Sequence, residues 1–396
     1  MNNYPTIVLK KGKEKSLERF HPWIFSGAIQ ILPKELTEGD FVEVRNAGKE
    51  FIGLGYYQVG SISVRMLSFS QEEINKDFWR RKLEKAIQLR KVAGLWENEE
   101  TNVFRMIHGE GDGFPGLIVD YYDGCVVFQA HTVGMYRIKD VFINVLQSLL
   151  GDKLKAVYDK SDHSLPFKAD LEQKDAFLFG EEKAEWRVRE YGNIYNINVV
   201  TGQKTGFFVD QRENRKLLES YSKGKKVLNT FCYSGGFSVA ALKAGASLVH
   251  SVDSSQLAID LTDENVQINF PDQSAHQSYC ADVFSFLNEM PEQYDVIVLD
   301  PPAFAKHRRV LSNGLKGYRT INEKAIKNMK SGGVLFTFSC SQVITSEHFR
   351  TAVFSAAARA GREVQIIHQL HQPADHPISI YHPEGEYLKG LVLRVW

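Results

Sequence analysis

Hydrophobic and polar positions change their period twice along the chain. Over residues 1 to about 75, apolar positions come in short runs, FVEVRNAG, EFIGLGYY and SISVRMLSF, broken by Gly, Asn and Ser. Such runs between turn formers predict strands, and their spacing predicts a small β-barrel or sandwich. HPWIFSGAI precedes them and sets a Trp beside a Pro. Residues 77–94 switch to a helical period, with Phe78, Leu83, Ala86, Ile87 and Val92 near one face and Gly94 placed to end the helix. GEGDGFPGLIVDYYDGCVVFQA then predicts a turn and a β-hairpin, followed by a helix near 135–150 and the strand-like IYNINVV.

From about residue 195 the pattern alternates. KVLNTF (226–231) is a buried-strand run, followed by a Gly-rich turn and an alanine-rich helix. LVHSVD (248–253), SYCAD, DVIVLD (295–300) and GVLFTFS (333–339) are further strands separated by helical or loop stretches. This alternation predicts a parallel, doubly wound sheet. EVQIIHQL and GLVLRV follow without a helix between them, so they should pair antiparallel at the sheet's end. Three regions result: a β domain over 1–75, an α+β middle domain over 76–190, and an α/β domain over 191–396.

Composition narrows the class. The 396 residues suffice for two or three domains, and 43% hydrophobic with 24% charged residues is ordinary for a globular protein. No run approaches a membrane span of ~18 uninterrupted apolar residues, so no membrane partner is expected. MNNYPTIVLKKGKEK has no apolar segment of the secretory kind, and a cytoplasmic location is the expectation. Cys125, Cys232, Cys280 and Cys340 are far apart and form no C-x-x-C, so they read as free thiols. Isolated histidines such as His108, His307 and His348 add no metal-ligand spacing, so no metal is expected. The 48 Lys and Arg balance 48 Asp and Glu, which excludes a uniformly basic coat but not a local basic groove.

In a doubly wound sheet, ligands bind beyond the carboxyl ends of the strands. Four successive ends carry Asn229, Asp253, Asp282 and Asp300, a polar rim suited to a nucleoside. Gly235 and Gly236 occupy the first strand-to-helix turn, where glycine allows close backbone approach or merely a tight turn. Asp253 lies 24 residues after Asn229, a spacing that suits a carboxylate on ribose hydroxyls. The G-x-G-x-x-G fingerprint is absent from YSGGFS. A dinucleotide pyrophosphate wants that cradle, whereas S-adenosylmethionine carries no phosphate and does not. Pro301 and Pro302 after Asp300 stiffen a loop that can present carbonyls to a flat base.

Cys340, in FSCS at the end of the fifth strand, is the candidate nucleophile. Carbon-5 of cytosine is a poor nucleophile. A thiolate added at carbon-6 makes an enamine-like ring whose carbon-5 can attack a sulfonium methyl, and loss of the carbon-5 proton then expels the thiol. The plainer reading of Cys340 is a small buried hydrophobe. Cys232, in the cofactor turn, is the rival nucleophile. Residues 301–330 hold Lys306, Arg308, Arg309, Lys316, Arg319, Lys324, Lys327 and Lys330 against the single acid Glu323. Such a patch beside a substrate entrance supplies phosphate neutralisation. Lys10, Lys11, Lys13, Lys15 and Arg19 form a second cluster. In TGQKTGFFVDQRENR (201–215), Phe207 and Phe208 are aromatics able to stack on a base, and Asp210 with Glu213 reads as a helix N-cap.

TGQKTGFFVDQRENR, NTFCYSGGFS, VDSS, VLDPPAFAK and FSCSQ follow the order of a class I S-adenosylmethionine-dependent methyltransferase. More narrowly, the chain resembles the ribosomal RNA large subunit methyltransferase I family, which acts on cytosine-5 of 23S rRNA. The resemblance spans the whole chain. It implies a PUA-like RNA-binding β-barrel at HPWIFSGAI and the strands to about residue 70. It also implies a middle domain at GEGDGFPGLIVD and a Rossmann-like seven-stranded methyltransferase sheet. By position, Asn229, Phe231, Ser234 and Gly235 would line the methionine and ribose. Asp253 would hold the ribose hydroxyls and Asp282 the adenine amino group. Asp300 would sit between cofactor and target base, and Cys340 would be the covalent nucleophile.

Two departures stand out. The usual acid at the end of the first strand is Asn229 here. Many RNA cytosine-5 methyltransferases carry a second cysteine in the fourth-strand loop, where this chain has Pro-Pro-Ala. The base for proton removal is therefore unassigned, with Asp300 or a water as candidates. Two other functions fit the same residues: methyl transfer to an exocyclic base nitrogen, and a non-catalytic RNA-binding assembly factor. The sequence is compatible with a homodimer and sets no oligomeric state.

Overall fold

Alternation in FVEVR sends Val42 and Val44 inward, and the same period governs the other N-terminal strands. A computed structural model describes residues 4–166, 174–272 and 274–396. The first six strands are β1 (Thr6–Leu9), β2 (Trp23–Phe25), β3 (Ile29–Ile31), β4 (Phe41–Arg45), β5 (Phe51–Tyr57) and β6 (Ile62–Ser68). They form one sheet in the order β2-β6-β5-β4-β1-β3. Ile7, Leu9, Ile24, Val42, Val44, Val64 and Met66 make its core.

Helix α1 (Lys76–Val92) starts where the Asn75 side chain accepts the Phe78 N–H at 3.0 Å. It buries Phe78, Trp79, Leu83, Ala86 and Ile87. β7 (Val103–His108), β8 (Leu117–Tyr122), β9 (Cys125–Ala130), α2 (Val133–Arg137), α3 (Lys139–Leu150), β10 (Ala156–Asp159) and β11 (Ala176–Gly180) follow. Their sheet runs β11-β10-β9-β8-β7. Asp123 (φ 48°) and Gly124 (φ 100°) make the two-residue turn between β8 and β9, the expected hairpin. Leu54, Tyr56 and Leu67 share one core with Phe78, Trp79, Phe104, Phe114 and Phe128. β12 (Glu185–Glu190) and β13 (Asn193–Asn198) form a second tight hairpin.

The remaining elements alternate: α4 (Arg212–Ser222), β14 (Lys226–Thr230), α5 (Gly236–Lys243), β15 (Leu248–Asp253), α6 (Gln256–Asn269), β16 (His276–Cys280), α7 (Val283–Phe286), β17 (Val296–Leu299), α8 (Leu311–Asn328), β18 (Gly333–Ser339), α9 (Ser346–Ala360), β19 (Val364–His371) and β20 (Lys389–Val395). The sheet order is β16-β15-β14-β17-β18-β20-β19. Its first five strands are parallel, and β20 is antiparallel to both neighbours, as the missing crossover helix required. β17 and β18 are buried at every position because helices cover both faces. Strand order reverses at β14, between β15 and β17, which is where such sheets open a binding crevice.

By clustering of contacts the chain divides into two units. One comprises Met1–Trp186, Ile197–Phe207 and Ala374–Gly385, and the other Arg187–Asn196, Phe208–Pro373 and Glu386–Trp396. Among the described residues, no helix is long and apolar enough to cross a membrane.

Candidate active site

The crevice belongs to the second unit and begins at the turn after β14. Phe231 (φ 54°), Tyr233 (φ 49°) and Gly235 (φ 73°) are all left-handed within five residues. Glycine takes that conformation freely, whereas an aromatic residue held there costs on the order of 1–3 kcal/mol and must be pinned by its surroundings. Helix α6 supplies the pins. Thr262 Oγ1 donates to the Tyr233 carbonyl at 3.1 Å, and Asn265 Nδ2 donates to the Ser234 carbonyl at 3.0 Å. A Cβ on Gly235 would lie 2.8 Å from Thr262 Cγ2, so the turn also packs too closely for a larger residue.

Asp253 closes the turn from β15. Its Oδ2 accepts the Tyr233 N–H at 3.2 Å and its Oδ1 accepts the Ser255 N–H at 3.0 Å. Asp282 lies two residues past the end of β16 rather than on it, because the strand stops at Cys280. Its carboxylate caps α7 through the Ser285 N–H at 2.8 Å and is exposed. Asn229 is the inner member of the set. It is one residue short of the strand end, fully covered, and its Nδ2 donates to Ser238 Oγ at 2.9 Å. Its Oδ1 is buried without a hydrogen-bond partner. An acceptor left open beneath a strained turn, with a carboxylate beside it, fits the amino and hydroxyl donors of a nucleoside-bearing amino acid.

The candidate reacting groups lie at the ends of β17 and β18. Asp300 follows β17, and Cys340 follows β18. Cys340 Sγ stands 3.9 Å from the Pro301 carbonyl oxygen. Burial first, then the charge of Asp210, pushes the Asp300 carboxyl up to about 7, against a Gln211 hydrogen bond and the charge of Arg215. Burial, followed by the charges of Asp300 and Asp210, pushes the Cys340 thiol up to about 12, and Lys389 works the other way. Without a further positive charge the thiol holds its proton at neutral pH.

Three nearby groups were not legible as site residues. Gln211 Oε1 accepts from Asn214 Nδ2 at 2.6 Å, leaving its amide to bond Asp300. Lys389 is buried in β20 and donates to the carbonyls of Ser341 at 2.7 Å and Tyr387 at 2.6 Å. Tyr387 donates its hydroxyl to Asp210 Oδ2 at 2.7 Å. The one sequence signal was a lysine opening the largely apolar strand run KGLVLRV.

Two expectations change. Asp210 is not a helix N-cap. It sits in a 3-10 turn, Val209–Gln211, and α4 begins at Arg212 after Gln211 with no side-chain capping bond. Its carboxylate is drawn to Tyr387 instead. Phe207 is buried, so it is not available to stack on a base, while Phe208 packs edge-on against Tyr233 at 5.1 Å. The rival thiol, Cys232, is covered beneath the turn, where it accepts from Thr262 Oγ1 at 3.4 Å and burial pushes it up to about 12. Lys306, Arg308 and Arg309 are exposed just before α8, Lys316 is exposed on it, and Arg319 is half-buried.

The sequence profile of the S-adenosylmethionine-dependent methyltransferases matches residues 105–394, and that of a PUA-like domain matches residues 7–69. The ribosomal RNA large subunit methyltransferase I of Alteromonas mediterranea is 40% identical over 394 residues, 98% of each chain. The chain belongs to this methyltransferase family. The enzyme of the same name from Escherichia coli strain SMS-3-5 is 38% identical over 98% of this chain and 99% of that one. A Streptococcus mutans chain described as an S-adenosylmethionine-dependent methyltransferase shares the fold, with TM-score 0.83 and 22% identity over 98% of this chain and all of that one. SMU.776, described as a methyltransferase and solved with S-adenosylhomocysteine, superposes with TM-score 0.85 at 22% identity. The family's methyl donor is therefore this chain's cofactor.

Proposed function

We propose that this methyltransferase transfers a methyl group to carbon-5 of a cytosine in large-subunit ribosomal RNA through a covalent Cys340 adduct. One observation carries the reading: the Cys340 thiol lies 3.9 Å from Pro301 O, against the loop that carries Asp300. The names of its relatives supply the RNA. Bound S-adenosylmethionine supplies an electrophilic methyl group on a positively charged sulfur.

The chain's own residues supply the rest. Asn229, Phe231, Ser234, Gly235, Asp253 and Asp282 would hold the cofactor. Asp300 keeps its proton to about pH 7 and so can donate to a ring nitrogen as Cys340 adds to carbon-6. That donation neutralises the charge pushed into the ring, and Lys389 favours the thiolate that adds. Lys306, Arg308, Arg309, Lys316 and Arg319 would neutralise RNA phosphates at the entrance.

The alternative of exocyclic-nitrogen methylation wants an aromatic residue free to clamp the flipped base. Phe304 is instead anchored against Tyr318, with ring centroids 4.7 Å apart, and lies 6.0 Å from Phe284. The test incubates the protein with S-adenosylmethionine and 23S rRNA lacking the modification, followed by nucleoside mass spectrometry. New 5-methylcytidine, lost in Cys340→Ala, is the expected result. An N-methylated base, or a Cys340→Ala variant near wild-type activity, overturns the covalent route. No new methyl group on RNA or subunits favours an assembly factor.

A further inference from the structure

Asp210 has one oxygen engaged and one open. Oδ2 accepts the Tyr387 hydroxyl at 2.7 Å, while Oδ1 is buried and has no hydrogen-bond partner. A covered carboxylate oxygen without a donor is unfavourable, and such an atom calls for a role.

Its surroundings are the reacting groups. The Tyr387 carbonyl accepts Lys389 Nζ at 2.6 Å, and the same ammonium donates to Ser341 O at 2.7 Å, next in the chain to Cys340. The thiol in turn faces Pro301 O at 3.9 Å, next to Asp300. Gln211, the neighbour of Asp210, bonds Asp300. Asp210 is therefore linked to the nucleophile on one side and to Asp300 on the other. Its charge acts on both.

We propose that Asp210 is the base that removes the carbon-5 proton from the methylated cytosine adduct and so releases the product from Cys340. The inference rests on the carbon-5 reading above. The electrons balance within these groups. Asp210 takes the carbon-5 proton, the C–H pair forms the C5=C6 double bond, and the C6–S bond breaks with its pair leaving on the Cys340 sulfur. The departing thiolate forms close to Lys389, and the proton on Asp210 passes to solvent. Asp300 suits this step poorly, because the proton it lends to the ring nitrogen returns to it once carbon-5 has taken the methyl group, and it is bonded by Gln211. No second thiol is needed, which answers the Pro-Pro-Ala in the fourth-strand loop.

The test follows one turnover with methyl-labelled S-adenosylmethionine and unmodified 23S rRNA in the full-length protein. Two rates are read separately: methyl attachment to RNA, and release of free 5-methylcytidine-containing RNA from a denaturant-stable protein–RNA species. Asp210→Asn should attach the methyl but release product ~10²-fold or more slowly, accumulating the methyl-labelled adduct. Asp210→Glu should restore most of the release. Asp210→Asn that releases at the wild-type rate overturns the proposal. So does one that binds S-adenosylmethionine normally yet fails at methyl attachment. If Asp210→Asn does not fold, Tyr387→Phe carries the test. It keeps the carboxylate and removes the donor that orients it, so release should slow more than methyl attachment does; equal changes in the two rates overturn the proposal. Cys340→Ala separates the two ideas. If it still makes product, or if the product is not 5-methylcytidine, the carbon-5 reading fails and the inference falls with it.

Discussion

Lys389 donates its buried ammonium to the carbonyl oxygen of Ser341 at 2.7 Å, one residue past Cys340. Strand register puts it there, because Lys389 faces Ser339 in the antiparallel pair of β18 and β20. The side chain is 5% exposed, and burial brings its ammonium down to about 8. A positive charge is thus held beside a thiol that two carboxylates oppose.

Lys389→Met keeps most of the stem and removes the charge. The Cys340 thiol should then hold its proton more tightly, since a nearby cation favours the thiolate. The expected result is slower iodoacetamide labelling of Cys340 and a methyl-transfer rate about tenfold lower, for each pKa unit lost to the missing charge. S-adenosylmethionine affinity should stay near wild type. Unchanged labelling kinetics would count against the role.

Asp300 makes stability pH-dependent in the reverse of the usual carboxylate direction. Its folded-state value is near 7, above the unfolded value of 3.8. Between those values the folded chain holds a proton that the unfolded chain has lost, so stability falls as pH rises through this window. Asp300→Asn should melt higher than wild type at pH 8, with the gap closing toward pH 4. The same variant should lose ~10²-fold or more in methyl transfer. Thermal melts across pH and single-turnover rates check the two halves.

Arg215 and Glu190 form a buried two-bond pair, with both N···O distances 2.6 Å. Arg215 Nη2 also donates to Phe208 O at 3.0 Å, which ties the pair to the segment carrying Asp210 and Gln211. Glu190→Ala leaves a guanidinium buried without its counter-charge. It should destabilise the protein by about 3–5 kcal/mol. Urea unfolding would show a lower midpoint with an unchanged slope.

The exposed cations of the α8 entrance should act through salt. A Lys306→Ala, Arg308→Ala, Arg309→Ala triple variant should weaken RNA binding and lower the slope of log K against log salt by about 2–3. Binding isotherms at several salt concentrations read this directly. An unchanged slope places the phosphate contacts elsewhere.

Most of the fold was readable from period. Alternation in FVEVR, the helical spacing from Phe78 to Ile87, and the apolar runs at β14, β17 and β18 each report which faces are buried. Those are local properties of a strand or a helix. Asp253, Asp300 and Cys340 became candidates for a related reason: a doubly wound sheet puts its ligands at strand ends, and strand ends are visible in the chain. The N-cap reading of Asp210 failed because a local motif competed with a partner 177 residues away.

What the chain order alone settles is therefore the class of protein: the strand and helix sequence, the sheet order it allows, and the polar residues left at the crevice. What folding adds is convergence. Asp210, Asp300, Cys340, Tyr387 and Lys389 come from four separate stretches of chain, joined by hydrogen bonds that no spacing encodes. Periodicity reports the direction in which a side chain points. Whether a second side chain waits there, whether water is excluded, and hence whether a carboxyl or thiol holds its proton, depends on through-space distance and burial.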